Sequence, residues 1–204
     1  TAGTWQSPAV SEGNPYTHIG YDPTSVAVSQ EYIRSVLDRT NPIDIQLDHY
    51  YLHDKRFEDL VNKYSAFHHP DPRHRPKGVF SLNWIRHCVI EMKRHYEQTN
   101  NFKYDFVIMT SWAIYHRVPI DLTAYDPNIL GVSNMHQVDD LIGDIWVGGP
   151  SYLIDTWGEQ FNGAEELAQA GTLNLGPHPW QRAWFEHKQI PWGYRGDLGI
   201  WIAR

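Results

Sequence analysis

The segment YDFVIMT at residues 104–110 decides the fold of this chain. Its Phe-Val-Ile-Met run shows no polar alternation, which is typical of a central strand covered on both faces. The clearest helix precedes it at about residues 82–99, where apolar residues recur every three or four positions behind a capping residue, Ser81. Strands and helices alternate on both sides of this pair. The sequence therefore predicts an α/β domain with a mainly parallel central sheet flanked by helices.

The remaining elements are predicted from hydrophobic periodicity and from turn residues. Glycines and prolines interrupt a polar stretch at residues 1–25, which we expect to be irregular. Residues 26–204 are expected to form one domain, because 204 residues is the size of a single domain. The predicted helices lie at about residues 26–39, 55–67, 152–161 and 179–188, and the predicted strands at 43–49, 144–149 and 198–203.

The composition argues against several classes of protein. With 17 basic and 24 acidic residues the net charge is −7, which disfavours a nucleic-acid partner. No apolar run is long enough to span a bilayer. The single cysteine, Cys88, cannot form an internal disulfide. The lack of a disulfide, of a signal peptide and of an Asn-x-Ser/Thr sequon favours a cytoplasmic location. The chain begins with Thr1 rather than Met, however, which indicates trimming and leaves the location open.

The charge is unevenly distributed along the chain. Residues 118–181 contain nine acidic residues and no Lys or Arg, so that this stretch carries −9 and the remainder carries +2. The densest group of titratable side chains within it is HQVDD at residues 136–140. Such a stretch can supply a metal site or a general base. The alternative is a solvated acidic face.

A loop of the opposite charge is predicted at residues 68–77, where three prolines fall within seven residues. Its Arg73 and Arg75 are suited to hold a diphosphate, because guanidinium groups match the geometry of phosphate oxygens. Its three histidines could instead bind zinc, although their spacing matches no familiar zinc motif. The third alternative is an ordinary surface loop.

The nine tryptophans indicate either a core rich in large side chains or a cleft that stacks its rings against sugars or bases. Ligands of open parallel sheets bind beyond the carboxyl ends of the strands. Applied to the predicted strands, that rule selects residues 49–51, 110–112 and 148–151 as places for a ligand.

From YDFVIMT through Ile114-Tyr115 and Pro119-Ile120, the chain resembles the centre of GT-A-type glycosyltransferases, particularly the poorly characterised polysaccharide-type families. The resemblance covers about residues 26–204. Residues 41–45 are similar to the second strand of the family, and residues 82–99 are similar to the helix before its motif strand. Residues 144–149 resemble its Asp-x-Phe-x-hydrophobic-Gly segment, and residues 180–187 resemble its closing helix.

The resemblance implies a nucleotide-diphospho-sugar transferase fold and a hexosyl- or pentosyltransferase that moves a sugar from a nucleotide-sugar donor to a glycan acceptor in polysaccharide biosynthesis. It also implies Mn²⁺ or Mg²⁺ as the cofactor. The metal-binding acid of the family would fall near Ala113, where this chain has no carboxylate. Three alternatives follow: a metal-independent transferase, a metal held by other acids, or a non-catalytic glycan- or nucleotide-binding module that retains the fold.

The candidate site residues of the transferase hypothesis fall into three groups. An inverting transferase needs a carboxylate that deprotonates the acceptor hydroxyl. The arginines of the donor group would replace the charge of the metal. The expected residues are Asp139, Asp140 and Asp144 for catalysis, Thr110, Ser111, Trp112, Arg73 and Arg75 for the donor, and His136 and Trp146 for the acceptor.

Overall fold

The computed structural model describes residues 2–6, 38, 45–71, 74–110, 114–116, 119–133, 142–143, 145–195 and 200–202. The strands of these residues are β1 (Ala2–Gln6), β2 (Ile45–His49), β3 (Phe106–Thr110), β4 (Ile114–His116), β5 (Leu130–Ser133), β6 (Trp146–Pro150), β7 (Trp192–Arg195) and β8 (Ile200–Ile202). Their α-helices are α1 (Tyr50–Lys63), α2 (Pro76–Thr99), α3 (Ser151–Gly158), α4 (Ala164–Gln169) and α5 (Pro177–His187). The protein is therefore of mixed α/β class.

Four strands form the main sheet of the described residues, in the order β3-β6-β5-β7. β6 runs antiparallel to both β3 and β5, whereas β5 and β7 are parallel neighbours. The prediction of a mainly parallel sheet is wrong for this sheet, which is mostly antiparallel. Only residues 134–145 join β5 to β6, and so short a connection is near the lower limit for a crossover between parallel strands.

Although β6 is reversed, β3, β5 and β7 run in the same direction, so that their carboxyl ends meet the amino end of β6 at one edge of the sheet. Thr110 lies opposite Trp146 in this register, and Ser133 lies opposite Arg195. We call this edge, defined by these four residues, the carboxyl edge. Residues 148–151, which the strand-end rule also selects, lie at the opposite end of the sheet, because β6 is reversed.

The motif strand β3 is present as predicted, but it is an edge strand of the described sheet. Its residues are half-buried except for the exposed Thr110. Val107 and Met109 pack against the hydrophobic core, while the ring of Phe106 meets the Tyr125 ring at a centroid distance of 4.8 Å. The prediction of a central strand fully covered on both faces is therefore wrong for the described sheet.

Two smaller pairs account for the other described strands. β1 pairs in parallel with β2, from Ala2 opposite Ile45 to Gln6 opposite His49. Part of the segment predicted to be irregular is thus a strand. β4 pairs antiparallel with β8, which brings the predicted closing strand next to the segment that follows β3. The predicted helix at residues 26–39 lies outside the described residues, apart from a helical Asp38.

Helix α2 begins at Pro76, six residues earlier than the sequence predicts. Proline is well placed in a first helical turn, because the amide it lacks has no partner there. Ser81 does not cap the helix but lies within it, and its hydroxyl donates a hydrogen bond to the carbonyl oxygen of Gly78 at 3.0 Å. The predicted loop therefore ends at Arg75 rather than at residue 77.

The buried face of α2 is largely polar, whereas the sequence predicts an apolar one. The predicted stripe of Leu82, Ile85, Val89, Met92 and Tyr96 is only half-buried. After the first turns of the helix, the buried residues recur with the same spacing. They are Asn83, Arg86, Ile90, Lys93 and Glu97. Charges in such positions require partners. Lys93 accordingly contacts the carboxylates of Asp155 at 2.8 Å and of Glu97 at 3.0 Å.

The two faces of the four-stranded sheet differ in kind. One face joins the hydrophobic core, to which the helices contribute the fully buried Trp157, Trp180 and Trp184. The other face has a floor of three glycines in neighbouring register positions, Gly131, Gly148 and Gly193, and we call it the glycine face. The ring of Trp146 lies across this floor, because a Cβ on Gly148 would be 2.6 Å from it.

Candidate functional site at the carboxyl edge

Arg195, the last residue of β7, is fixed on the glycine face of the carboxyl edge. Its guanidinium carbon lies 3.8 Å from the centroid of the Tyr125 ring, which is the geometry of a cation–π contact. Its Nη1 donates a hydrogen bond to the carbonyl oxygen of Ala124 at 3.1 Å. A Cβ on Gly131 would lie 2.8 Å from Arg195 Cγ, so the glycine leaves room for the arginine stem. Backbone and ring thus hold a positive charge at this edge.

Two buried polar atoms on the strands of this edge have no hydrogen-bond partner among the described residues. They are Ser133 Oγ and Trp146 Nε1. Ser133 is 1% exposed and Trp146 is 0% exposed. An unpaired buried polar atom costs free energy, and such atoms are rare in folded proteins. Both atoms can donate hydrogen bonds, and they therefore suit contacts with an acceptor-rich ligand.

Residues 142–143 pack against α5 and against the end of β5. Their two carbonyl oxygens accept hydrogen bonds from α5. The donors are His178 Nδ1 at 2.7 Å and Gln181 Nε2 at 3.1 Å. A Cβ on the glycine at position 143 would lie 2.0 Å from the Ser133 carbonyl oxygen. Ser133 and the glycine at position 143 are therefore packed against each other.

The structure describes three of the predicted site residues. Thr110, which the strand-end rule selects as a place for a ligand, is exposed at the carboxyl edge. Trp146 lies at the same edge, but its ring is enclosed and as placed offers no face on which a sugar can stack. Arg75 is exposed and directly precedes α2. The other predicted residues, Arg73, Ser111, Trp112, His136, Asp139, Asp140 and Asp144, lie outside the described residues.

The described part of the carboxyl edge does not fit Mn²⁺ or Mg²⁺, which bind through carboxylate oxygens. The side chains of Thr110 and Ser133 supply only hydroxyls there. The nearby carboxylate of Asp121 has a lowered pKa, mainly because the Thr123 hydroxyl donates to it and to a smaller extent because of Arg195. Its Oδ1 accepts hydrogen bonds from the Thr123 amide at 2.9 Å and from the Thr123 hydroxyl at 2.7 Å, and thus stabilises its own turn.

A second polar region lies among the helices, around a cavity of about 360 Å³. Glu159, which lines this cavity, lies near His87 and Glu91, and possible metal-ligating atoms of these three residues are within 4.8 Å of one another. Arg94, however, donates hydrogen bonds to both carboxylates, at 2.6 Å in the case of Glu91. Burial raises the pKa of Glu159, but hydrogen bonds from Arg94 and Asn162 outweigh it and lower this pKa. The two carboxylates thus belong to an ion-pair network that already holds a cationic group.

No known protein family, curated protein or solved structure matches this chain. The arrangement of the chain's own residues is therefore the basis for any functional proposal. None of the described helices combines the length and the apolar character that crossing a membrane requires.

Sequence reasoning did not select Arg195, Tyr125 or Ser133 as site residues. Strands β5 and β7 are not predicted at all, because LGVS and WGYR are four residues long and each contains a glycine. One signal could have located Arg195. Since residues 118–181 lack Lys and Arg, any cation at a site built mainly from that stretch has to come from another part of the chain.

Proposed function

We propose that the protein is a GT-A-type glycosyltransferase that moves a sugar from a nucleotide-sugar donor to a glycan acceptor at the carboxyl edge. The observation that carries the proposal is the meeting of the carboxyl ends of β3, β5 and β7 at this edge. The rule that ligands bind beyond the carboxyl ends of parallel strands is applied to these three strands, which run in the same direction although β6 is reversed. In the sequence, Ser111 and Trp112 directly follow Thr110, and the three candidate catalytic aspartates, Asp139, Asp140 and Asp144, lie within eleven residues after Ser133.

In this proposal, one aspartate of the 134–144 region accepts the proton of the acceptor hydroxyl. The hydroxyl oxygen then attacks the anomeric carbon, and the nucleoside diphosphate leaves. The residues after β3, Ser111 and Trp112, bind the donor together with Thr110. Trp146 takes part through its buried indole N–H rather than through its ring face, because the ring is enclosed. No step is routed through a metal, since the described edge lacks a suitable ligand set.

The direct test is calorimetry of the full chain with several nucleotide sugars, with and without Mn²⁺, followed by an assay of nucleoside diphosphate release with glycan acceptors. Asp139→Asn and Asp140→Asn are compared with Glu186→Gln, whose carboxylate is exposed on α5 and pairs with Arg182. We expect one aspartate variant to reduce turnover by about 10²–10⁴-fold with little change in donor affinity. Unchanged transfer in both variants would exclude them as the base, and no binding of any donor would overturn the proposed function.

A non-catalytic glycan- or nucleotide-binding module is the second candidate. The absence of a carboxylate near Ala113 favours it, because in the transferases that the chain resembles an acid at this position helps to hold the donor through a metal. The same calorimetry distinguishes the two functions. Glycan binding without donor binding, or donor binding without any sugar transfer, would support the module.

A further inference from the structure

We propose that Arg195 binds the diphosphate of the nucleotide donor and supplies the positive charge that a metal ion would otherwise provide. The inference rests on the proposed function, since it assumes that a donor binds at the carboxyl edge. It concerns a residue that neither the sequence pattern nor the resemblance selects.

The position of Arg195 is the first argument. It ends β7, and its register partner Ser133 ends β5, so that both residues lie where a ligand of this sheet is expected. A diphosphate carries charge that must be neutralised in the bound state. The stretch 118–181, which includes β5 and β6, contains no Lys or Arg. β7 thus contributes a cation to an edge that is otherwise formed largely by an acidic part of the chain.

The second argument is that Arg195 is held in place before any ligand arrives. The Tyr125 ring supports the guanidinium at 3.8 Å, and the Ala124 carbonyl accepts one hydrogen bond from Nη1. A guanidinium group presents its N–H donors in a planar fork, and this fork matches the geometry of phosphate oxygens. A side chain that is already ordered loses little entropy on binding.

The third argument comes from the two buried donors on the same strands. Ser133 Oγ and Trp146 Nε1 have no hydrogen-bond partner among the described residues. The Trp146 ring and Arg195 Cγ converge on Gly131, where a Cβ would lie 3.4 Å and 2.8 Å from them. A phosphate group offers only acceptors at neutral pH, and it therefore matches a guanidinium accompanied by a hydroxyl and an indole N–H.

The test measures binding of nucleoside diphosphates, of the corresponding nucleosides without phosphate, and of inorganic pyrophosphate by calorimetry. The variants are Arg195→Gln, Arg195→Lys and the control Arg182→Gln, which removes an exposed guanidinium on α5 that pairs with Glu186. We expect Arg195→Gln to weaken nucleoside diphosphate binding by about 10-fold or more and to leave nucleoside binding unchanged. Arg195→Lys should give an intermediate loss, because it retains the charge without the planar fork. Arg182→Gln should bind like the wild type.

The outcomes separate the two proposals. If the wild-type chain binds no nucleoside diphosphate and no nucleotide sugar, both proposals are wrong. If it binds them and Arg195→Gln changes the affinity for diphosphates no more than that for nucleosides, the role of Arg195 is refuted and the proposed function remains. Thermal unfolding of each variant shows whether it is folded. Should Arg195→Gln fail to fold, unaltered diphosphate binding by a folded Arg195→Lys would still count against the inference.

Discussion

Replacing Glu97 by Gln should destabilise the protein strongly, because this carboxylate joins α2 to β3 and α3. Its side chain is 0% exposed. Its Oε1 accepts hydrogen bonds from the Ser151 hydroxyl at 2.9 Å, from the Tyr104 amide at 3.1 Å and from Lys93 at 3.0 Å. Its Oε2 accepts one from Lys103 at 2.7 Å. Tyr104 precedes β3 and Ser151 begins α3, so the same carboxylate positions the start of the motif strand.

The size of the effect follows from the pKa of Glu97. Burial alone would raise this pKa, but the hydrogen bonds from Lys103, Tyr104, Lys93 and Ser151 together lower it from 4.5 to about 2. At about 1.4 kcal/mol per pKa unit, this difference corresponds to ~3 kcal/mol of stability at pH 7. Removing one partner from a buried ion pair independently costs about 3–5 kcal/mol. We therefore expect Glu97→Gln to lower the free energy of unfolding by ~3 kcal/mol.

The pH dependence gives the prediction a definite sign. Because the folded-state pKa is depressed, the stabilisation is complete above the unfolded-state pKa of about 4.5 and is lost as the pH falls towards 2. Urea unfolding followed by tryptophan fluorescence should show a gap between wild type and Glu97→Gln that shrinks to about half by pH 3. Glu58→Gln is the control, because its carboxylate is 62% exposed, and it should cost less than ~1 kcal/mol. A gap below ~1 kcal/mol at pH 7, or one that does not change with pH, would refute this account of Glu97.

Three further substitutions test the packing of the helices. Gly163→Ala should lower the melting temperature by several degrees, because the new Cβ would lie 2.0 Å from the Trp184 ring. Gly78→Ala is the control, since the nearest atom to its new Cβ outside the backbone of α2 would be 3.9 Å away. In thermal unfolding it should be neutral or should stabilise α2 by up to ~1 kcal/mol. Gln181→Leu should cost about 1–3 kcal/mol in urea unfolding, since Gln181 is fully buried and joins the Trp157 indole N–H to the carbonyl at position 143; a loss below ~0.5 kcal/mol would contradict this role.

The elements that the sequence predicts well are those with a strong local signal. The hydrophobic run locates β3 to within two residues, and the periodicity locates the end of α2 but misses its first six residues. The α/β class follows from them. The direction of β6 could not be predicted, because a strand has the same local sequence pattern in a parallel and in an antiparallel pair. Its direction depends on the strands with which it pairs in space.

The buried face of α2 and the residue Arg195 illustrate what local patterns miss. Lys93 and Glu97 are charged, yet both are buried. Lys93 pairs with Asp155, which is distant in sequence, and Glu97 pairs with Lys103, which lies beyond the end of the helix. Arg195 reaches the candidate site only through the pairing of β7 with β5. In each case the location of the residue depends on a contact outside its own helix or strand, which the local sequence pattern does not reveal.

The central claim is that a nucleotide-sugar donor binds at the carboxyl edge, and hydrogen–deuterium exchange of the full chain with and without saturating donor tests it most directly. The account predicts slower exchange in peptides covering β3 to β4, β5 to the start of β6, and β7, with no change in α1 or α4. Protection confined to the helices, or none with any donor that calorimetry shows to bind, would contradict it.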